Sequence, residues 1–230
     1  MSKKILIRGA RQLVTLRGSS APRRGNALSD LAVIPDGAIL IKDGRIEMIG
    51  PGRRLENLAD SKDAHVIEAD GCVVMPGFID PHTHLVSGPP RVDEFEMRTL
   101  GASLEQSGVL HDGLHAQVRN VRSLPARRLE LQARNTLLHC VRHGTTTIEA
   151  KTGYGLDDAG EMKCVRVLED LQNCPISVIP TWFGARALPL EFTDNADGYL
   201  RFLTDEMLPA SPSAKPFPTS TPIQPPAVSP

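Results

Sequence analysis

Short apolar runs separated by turn residues fill the first third of the chain. Ile5-Leu6-Ile7, Leu13-Val14-Thr15-Leu16, Ala38-Ile39-Leu40-Ile41 and Ile46-Glu47-Met48-Ile49 read as strands. Asp43-Gly44 between the last two is a strong hairpin signal. Val66-Ile67 and Cys72-Val73-Val74-Met75 flank another turn at Asp70-Gly71. Residues 1–76 are therefore expected to form a small β-rich layer.

After Pro76-Gly77 the pattern changes to strands alternating with helices. Phe78-Ile79-Asp80 reads as a short buried strand followed by a polar run. A helix is expected over Ala126 to Arg142, because Ala133, Leu137 and Val141 recur every four residues and Gly144 sits where a left-handed C′ residue belongs. The β-branched stretch Thr145 to Ala150 is the next strand. Met162, Val165, Leu168 and Leu171 form a helical stripe, Ile176 to Phe183 a further strand, and a third helix is expected near Asp194 to Met207. Buried strands alternating with helices imply a parallel sheet with right-handed crossovers, three or four units of it within residues 77–210. From Ser211 the pattern stops. Seven of the 19 prolines lie in the last twenty residues, and residues 211–230 read as a disordered or polyproline-like tail without apolar periodicity.

Composition narrows the function classes. Lys plus Arg is 26 against Asp plus Glu 27, a balance that argues against nucleic acid or an anionic membrane as the main partner. No apolar run approaches the roughly 18 residues of a membrane span. Ile5-Leu6-Ile7 is too short for a signal-peptide core, so a cytoplasmic protein is expected. Cys72, Cys140, Cys164 and Cys174 show no zinc-ribbon or disulfide-framework spacing and read as free thiols.

The strongest chemical signal is Gly77-Phe78-Ile79-Asp80-Pro81-His82-Thr83-His84. Two histidines at i and i+2 of an extended segment point to one side, where neutral imidazoles would grip one metal ion from a strand end. His139 and His143, four apart, are read instead as residues of a helix face and helix C-terminus, where histidine is favoured. His111 and His115 lie in an ordinary polar stretch. Glu149 and Lys151 share one side of a strand end near the histidines, with no step assigned.

The H-x-H segment with its surroundings resembles the amidohydrolase superfamily and, within it, the imidazolonepropionase family. His84-Leu85-Val86, Gly88, Arg91, Glu94-Phe95 and Leu100-Gly101-Ala102-Ser103 look like that family's first loop. His143-Gly144-Thr145-Thr146-Thr147-Ile148-Glu149-Ala150-Lys151-Thr152-Gly153-Tyr154-Gly155-Leu156 looks like its G-T-T-x-x-E-x-K-[ST]-G-Y-G-L motif, and Gly184-Ala185 with Ala187-Leu188-Pro189 like its G-A-H-x-x-P loop. The resemblance covers about Lys4 to Ala210. It implies an α/β fold: a partial (β/α)₈ metal-dependent-hydrolase barrel preceded by part of a β-sandwich. It implies hydrolysis of 4-imidazolone-5-propanoate to N-formimino-L-glutamate in histidine degradation, with one zinc or iron ion activating water. His82 and His84 would be metal ligands. Arg91 would clamp the substrate propionate and Tyr154 would donate to the substrate. No nucleic acid or membrane partner is implied, and the family's homodimer is carried over as an expectation.

Three departures qualify it. Arg186 stands where the family loop has a substrate-contacting histidine, placing a fixed charge against the substrate. His111-Asp112-Gly113 replaces a glycine-rich stretch. The family-like sequence stops about halfway round a barrel, before the family's later metal ligands and its acid/base glutamate, so the sequence reads as truncated and no catalytic acid/base is assigned. The alternative reading is a catalytically incomplete remnant, or a carboxylate-binding module without the full metal site.

Overall fold

The computed structural model describes residues 3–19, 21–58, 61–103 and 113–208. The expectations for His111-Asp112 and for the tail from Ser211 lie outside these residues. The chain is mixed α/β and divides between Gly77 and Phe78 into two compact units.

The first unit is one sheet. Strands β1 (Lys4–Val14), β2 (Val33–Lys42), β3 (Arg45–Pro51) and β4 (His65–Glu68) are ordered β3-β2-β1-β4, and β5 (Val73–Val74) also pairs with β1. β2 and β3 form the expected hairpin, with Asp43 and Gly44 both at positive φ. Ile5-Leu6-Ile7 and Leu13-Val14 are not two strands but one, carried through a bulge between Ile7 and Ala10. Gly9 makes the bulge possible: its φ is +76° and a Cβ there would lie 2.1 Å from Asp70 Oδ1. Leu6, Ala38, Leu40 and Leu55, the last on the short helix α1 (Gly52–Glu56), form the core of this layer.

The second unit has a parallel sheet, β6 (Phe78–Thr83), β7 (Thr145–Lys151) and β8 (Ser177–Thr181), in that order. Helices α2 (Val92–Thr99), α3 (Gly113–Ser123) and α4 (Ala126–Arg142) lie between β6 and β7 in the chain, and α5 (Asp158–Asp170) between β7 and β8. α4 buries Leu129, Ala133 and Leu137, a four-residue repeat along one face. It ends as expected: His143 is the C-cap, Gly144 follows at φ +88°, and His143 Nδ1 lies 2.8 Å from the His139 carbonyl. α5 starts at Asp157, whose side chain accepts from Gly160 N–H at 2.6 Å. Ile148, Ala150 and Val178 from the strands join these helices in one core. The last expected helix is α6 (Ala196–Arg201), continued by a wider π-helical turn over Phe202–Met207. Among the described residues no helix is long and apolar enough to cross a membrane.

Candidate active site

β6 ends at Thr83, so His82 lies inside the strand end and His84 one residue beyond it. Their rings stand edge to face, 5.7 Å apart. The strand end is tied on both sides. Asp80 Oδ1 accepts from His82 N–H at 3.2 Å, and Thr83 Oγ1 donates to the Glu149 carbonyl of β7 at 2.6 Å. Leu85 and Val86 then anchor the chain in the core. Gln117 of α3, buried, accepts from Gly88 N–H at 2.6 Å and donates to the Pro89 carbonyl at 3.0 Å. The loop after the histidines is thereby held to α3.

Tyr154 is positioned by a carboxylate. Glu161, near the start of α5 and fully buried, accepts from Gly153, Gly155 and Leu156 N–H through Oε1 at 3.1, 2.8 and 3.0 Å. Arg122 Nε donates to the Gly155 carbonyl at 2.7 Å and pairs with Asp157 at 2.9 Å. Both glycines are needed where they stand. Gly153 has φ +100°, and a Cβ on Gly155 would lie 2.2 Å from Glu161 N. Tyr199 of α6 ties two segments together, donating to the Gly184 carbonyl at 2.9 Å and to the Leu156 carbonyl at 3.4 Å. Burial pushes its phenol pKa up.

His84, Tyr154 and Arg186 meet in one cluster. Arg186, in the short turn Gly184–Arg186, directs Nη1 at His84 Nε2. Its Nη2 donates to the Tyr154 hydroxyl at 3.3 Å, and its guanidinium lies 4.6 Å from the Tyr154 ring centre. The His84 ring is 5.1 Å from Tyr154 and 6.3 Å from Phe183, and its Nδ1 is buried without a hydrogen-bond partner. Burial first, and the Arg186 charge second, lower the His84 pKa to about 4.

Glu149 and Lys151 form an ion pair of 2.6 Å at the end of β7, and Thr181 Oγ1 donates to the same carboxylate oxygen at 2.7 Å. The Lys151 hydrogen bond holds the Glu149 pKa below its ordinary value. Arg91 is at the N-cap of α2, its Nη1 2.9 Å from one oxygen and 3.0 Å from the other oxygen of buried Glu94. Of the residues singled out in the sequence, His82, His84, Tyr154 and Arg186 are thus linked by direct contacts, while Arg91 spends its charge on its own helix. Sequence reasoning passed over Glu161, Arg122 and Gln117. Only the glycine-tyrosine-glycine loop ahead of a helix hints that a buried acceptor must serve its N–H groups.

The fit of a metal ion follows from these atoms. Among the described residues no group of three or more His, Cys, Asp or Glu is placed to hold one. Two histidines fall short of the three protein ligands of a catalytic zinc site, and the open nitrogen of His84 faces a guanidinium. As arranged, the cluster does not fit a metal ion.

No family model matches the chain. Individual proteins do. Imidazolonepropionase of Symbiobacterium thermophilum is 39% identical over 208 residues, 90% of this chain and 48% of that protein. The Alkaliphilus metalliredigens imidazolonepropionase is 36% identical over 211 residues, and that of Solibacter usitatus 40% over 214. Each alignment takes in 91% of this chain and 50% of the relative. The chain is a relative of the imidazolonepropionases. It spans about half the length of the curated imidazolonepropionases it matches. Among solved structures, guanine deaminase from Bradyrhizobium japonicum matches with a TM-score of 0.52 over 77% of this chain and 34% of that one, at 21% identity. That likeness concerns the fold alone.

Proposed function

We propose that this chain serves imidazolonepropionase chemistry: it recognises 4-imidazolone-5-propanoate and takes part in hydrolysing the ring amide to N-formimino-L-glutamate. The observation that supports this is the 36–40% identity to imidazolonepropionases across about nine-tenths of the chain. In this reading the three-stranded parallel sheet belongs to a (β/α)₈ barrel and the first unit to a β-sandwich. The setting is cytoplasmic, the partner is a small molecule carrying a propionate, and a homodimer is the assembly carried over. Arg186 and Tyr154 bind and orient the substrate, the guanidinium as a fork for a carboxylate and the phenol as a donor. Arg91 is a second carboxylate contact once Glu94 releases it. His82 and His84 remain the proposed ligands of one zinc or iron ion, and no step is derived through that ion from the arrangement described above.

The guanidinium on His84 also favours a second reading, a carboxylate-binding module without the metal centre. Calorimetry separates a carboxylate site from an adventitious one. The substrate should bind at least about tenfold more tightly than its uncharged carboxamide analogue, the discrimination worth roughly one charge-assisted hydrogen bond. Equal affinities would remove the carboxylate assignment from both readings. Turnover that chelator abolishes supports the first reading, and binding without turnover supports the second.

A further inference from the structure

We infer that Arg122 is a positioning residue: from α3 it ties the Tyr154 turn to the segment that carries Arg186, so that the two side chains face the substrate as one unit. The inference rests on the proposed reading that Tyr154 and Arg186 bind the substrate.

A side chain on a loop recognises a ligand only as well as its backbone is held. Arg122 lies in the last turn of α3, and that end of the helix is clamped. Lys163 Nζ of α5 donates to the Arg122 carbonyl at 2.8 Å and to the Leu124 carbonyl at 3.0 Å. The Arg122 side chain therefore starts from a fixed point. Its Nε lies 2.7 Å from the Gly155 carbonyl, next to Tyr154, and 2.9 Å from Asp157 Oδ2 at the N-cap of α5. Its Nη2 donates to Glu191 Oε1 at 2.7 Å, in the loop that follows Arg186. One guanidinium thus holds the loop after β7 and the loop after β8. A planar fork with several donors suits that task, and the point charge of a lysine does not.

The near end of the Arg186 segment is held separately. Phe183 N–H donates to Thr152 Oγ1 at 2.8 Å, and the Gly184 carbonyl accepts from Tyr199 at 2.9 Å. Beyond Arg186, Leu188 and Phe192 pack on the cluster of Tyr199, Leu203 and Met207, and the Glu191 ion pair brings this far end to α3. Arg186 sits between the two fixed ends. Its Nη2 is 3.3 Å from the Tyr154 hydroxyl, long for a hydrogen bond, so the contact depends on both backbones being in place. Glu191 is exposed, and an ion pair of this kind adds little to overall stability. Its consequence is local order in the loop beside Arg186. Through Gln117, α3 also holds the loop after β6, so one helix serves the ends of all three parallel strands.

The test uses the full 230-residue chain with fluorotyrosine in place of its two tyrosines. It reads fluorine NMR spectra without ligand and calorimetric binding of 4-imidazolone-5-propanoate. Tyr154→Phe assigns the two lines. Arg186→Ala should shift the Tyr154 line of the unaltered chain. Arg122→Ala should move that line too, and Arg186→Ala should then shift it less than about half as far, the non-additivity expected of groups that act together. Arg122→Ala should raise the substrate Kd about fivefold or more, and that factor should fall by about half or more when Arg186→Ala is already present. Glu191→Ala should reproduce the coupling to Arg186, and Glu191→Gln, which keeps an acceptor oxygen, should lose less. A Tyr154 line unmoved by Arg122→Ala overturns the positioning role, as do equal Kd factors with and without Arg186→Ala, the result of a merely structural contact. If Arg122→Ala does not fold, Glu191→Ala decides by the same two readouts. Coupled spectra in a chain that does not bind the imidazolone overturn the substrate reading alone. Binding with uncoupled spectra overturns the positioning role alone.

Discussion

One oxygen of Glu161 receives three backbone N–H groups in a place that water does not reach. That carboxylate shapes the Gly153-Tyr154-Gly155-Leu156 turn more directly than any residue within it. Glu161→Gln exchanges a charged acceptor for a neutral one and should cost about 2 kcal/mol, read by urea unfolding; a change below about 0.5 kcal/mol would contradict the assignment. His84 gives a second prediction at this scale. Its folded pKa of about 4 lies below the ordinary 6.5, because burial and then Arg186 disfavour the charged ring. The native state thus binds its proton later than the unfolded chain does. Stability should be complete above pH 6.5 and fall as pH drops from there towards 4. An NMR titration of His84 with a midpoint near 6.5 would refute this. The sequence made His82, His84 and Tyr154 visible, because H-x-H and K-T-G-Y-G-L are local patterns. It kept silent about how Arg186 reaches His84, a contact 102 residues apart in the chain. Nor did it reveal that Arg91 turns to Glu94, since i,i+3 pairing competes with ligand binding without any mark in the pattern.

At the scale of elements, periodicity carried most of the information. α4 was legible end to end because its stripe, its cap and its glycine agree. The hairpin of β2 and β3 was equally plain from Asp43-Gly44. β1 was misread as two strands, since a bulge breaks the period of two without ending the strand. α2 and α3 were not anticipated: α2 exposes Val92 and Phe95, and α3 offers only Leu114, Ala116, Val118 and Val121 among polar residues. The burial pattern of α4 makes a paired prediction. Leu129→Ala, at a fully buried position, should cost about 3 kcal/mol, whereas exposed Leu131→Ala should stay within about 0.5 kcal/mol. Equal effects in thermal unfolding would mean that the helix presents another face. The meeting of the Tyr154 turn with α5 gives a harsher one. Gly155→Ala sets a Cβ 2.2 Å from Glu161 N and 2.3 Å from the Gly160 carbonyl carbon. It should destabilise by about 3 kcal/mol or more, because backbone rather than a flexible side chain stands in the way.

On the scale of the whole molecule, the apolar pattern separated a β layer from an alternating α/β region, and the structure is likewise mixed α/β in two compact units. The resemblance read from a few motifs agrees with relatives that match 90% of the chain. Those relatives are about twice as long as the matched region. Two histidines, a tyrosine and an arginine meet at one strand end, and the described residues add no third metal ligand to them. In the proposed function, substrate recognition rests on Tyr154 and Arg186. The most direct test is to measure metal content and imidazolone ring opening together on the purified 230-residue chain, supplied with iron or zinc and with 4-imidazolone-5-propanoate. The account predicts metal-dependent loss of the imidazolone that Tyr154→Phe slows about tenfold or more. A folded chain that takes up metal and binds the substrate yet never opens the ring would contradict it.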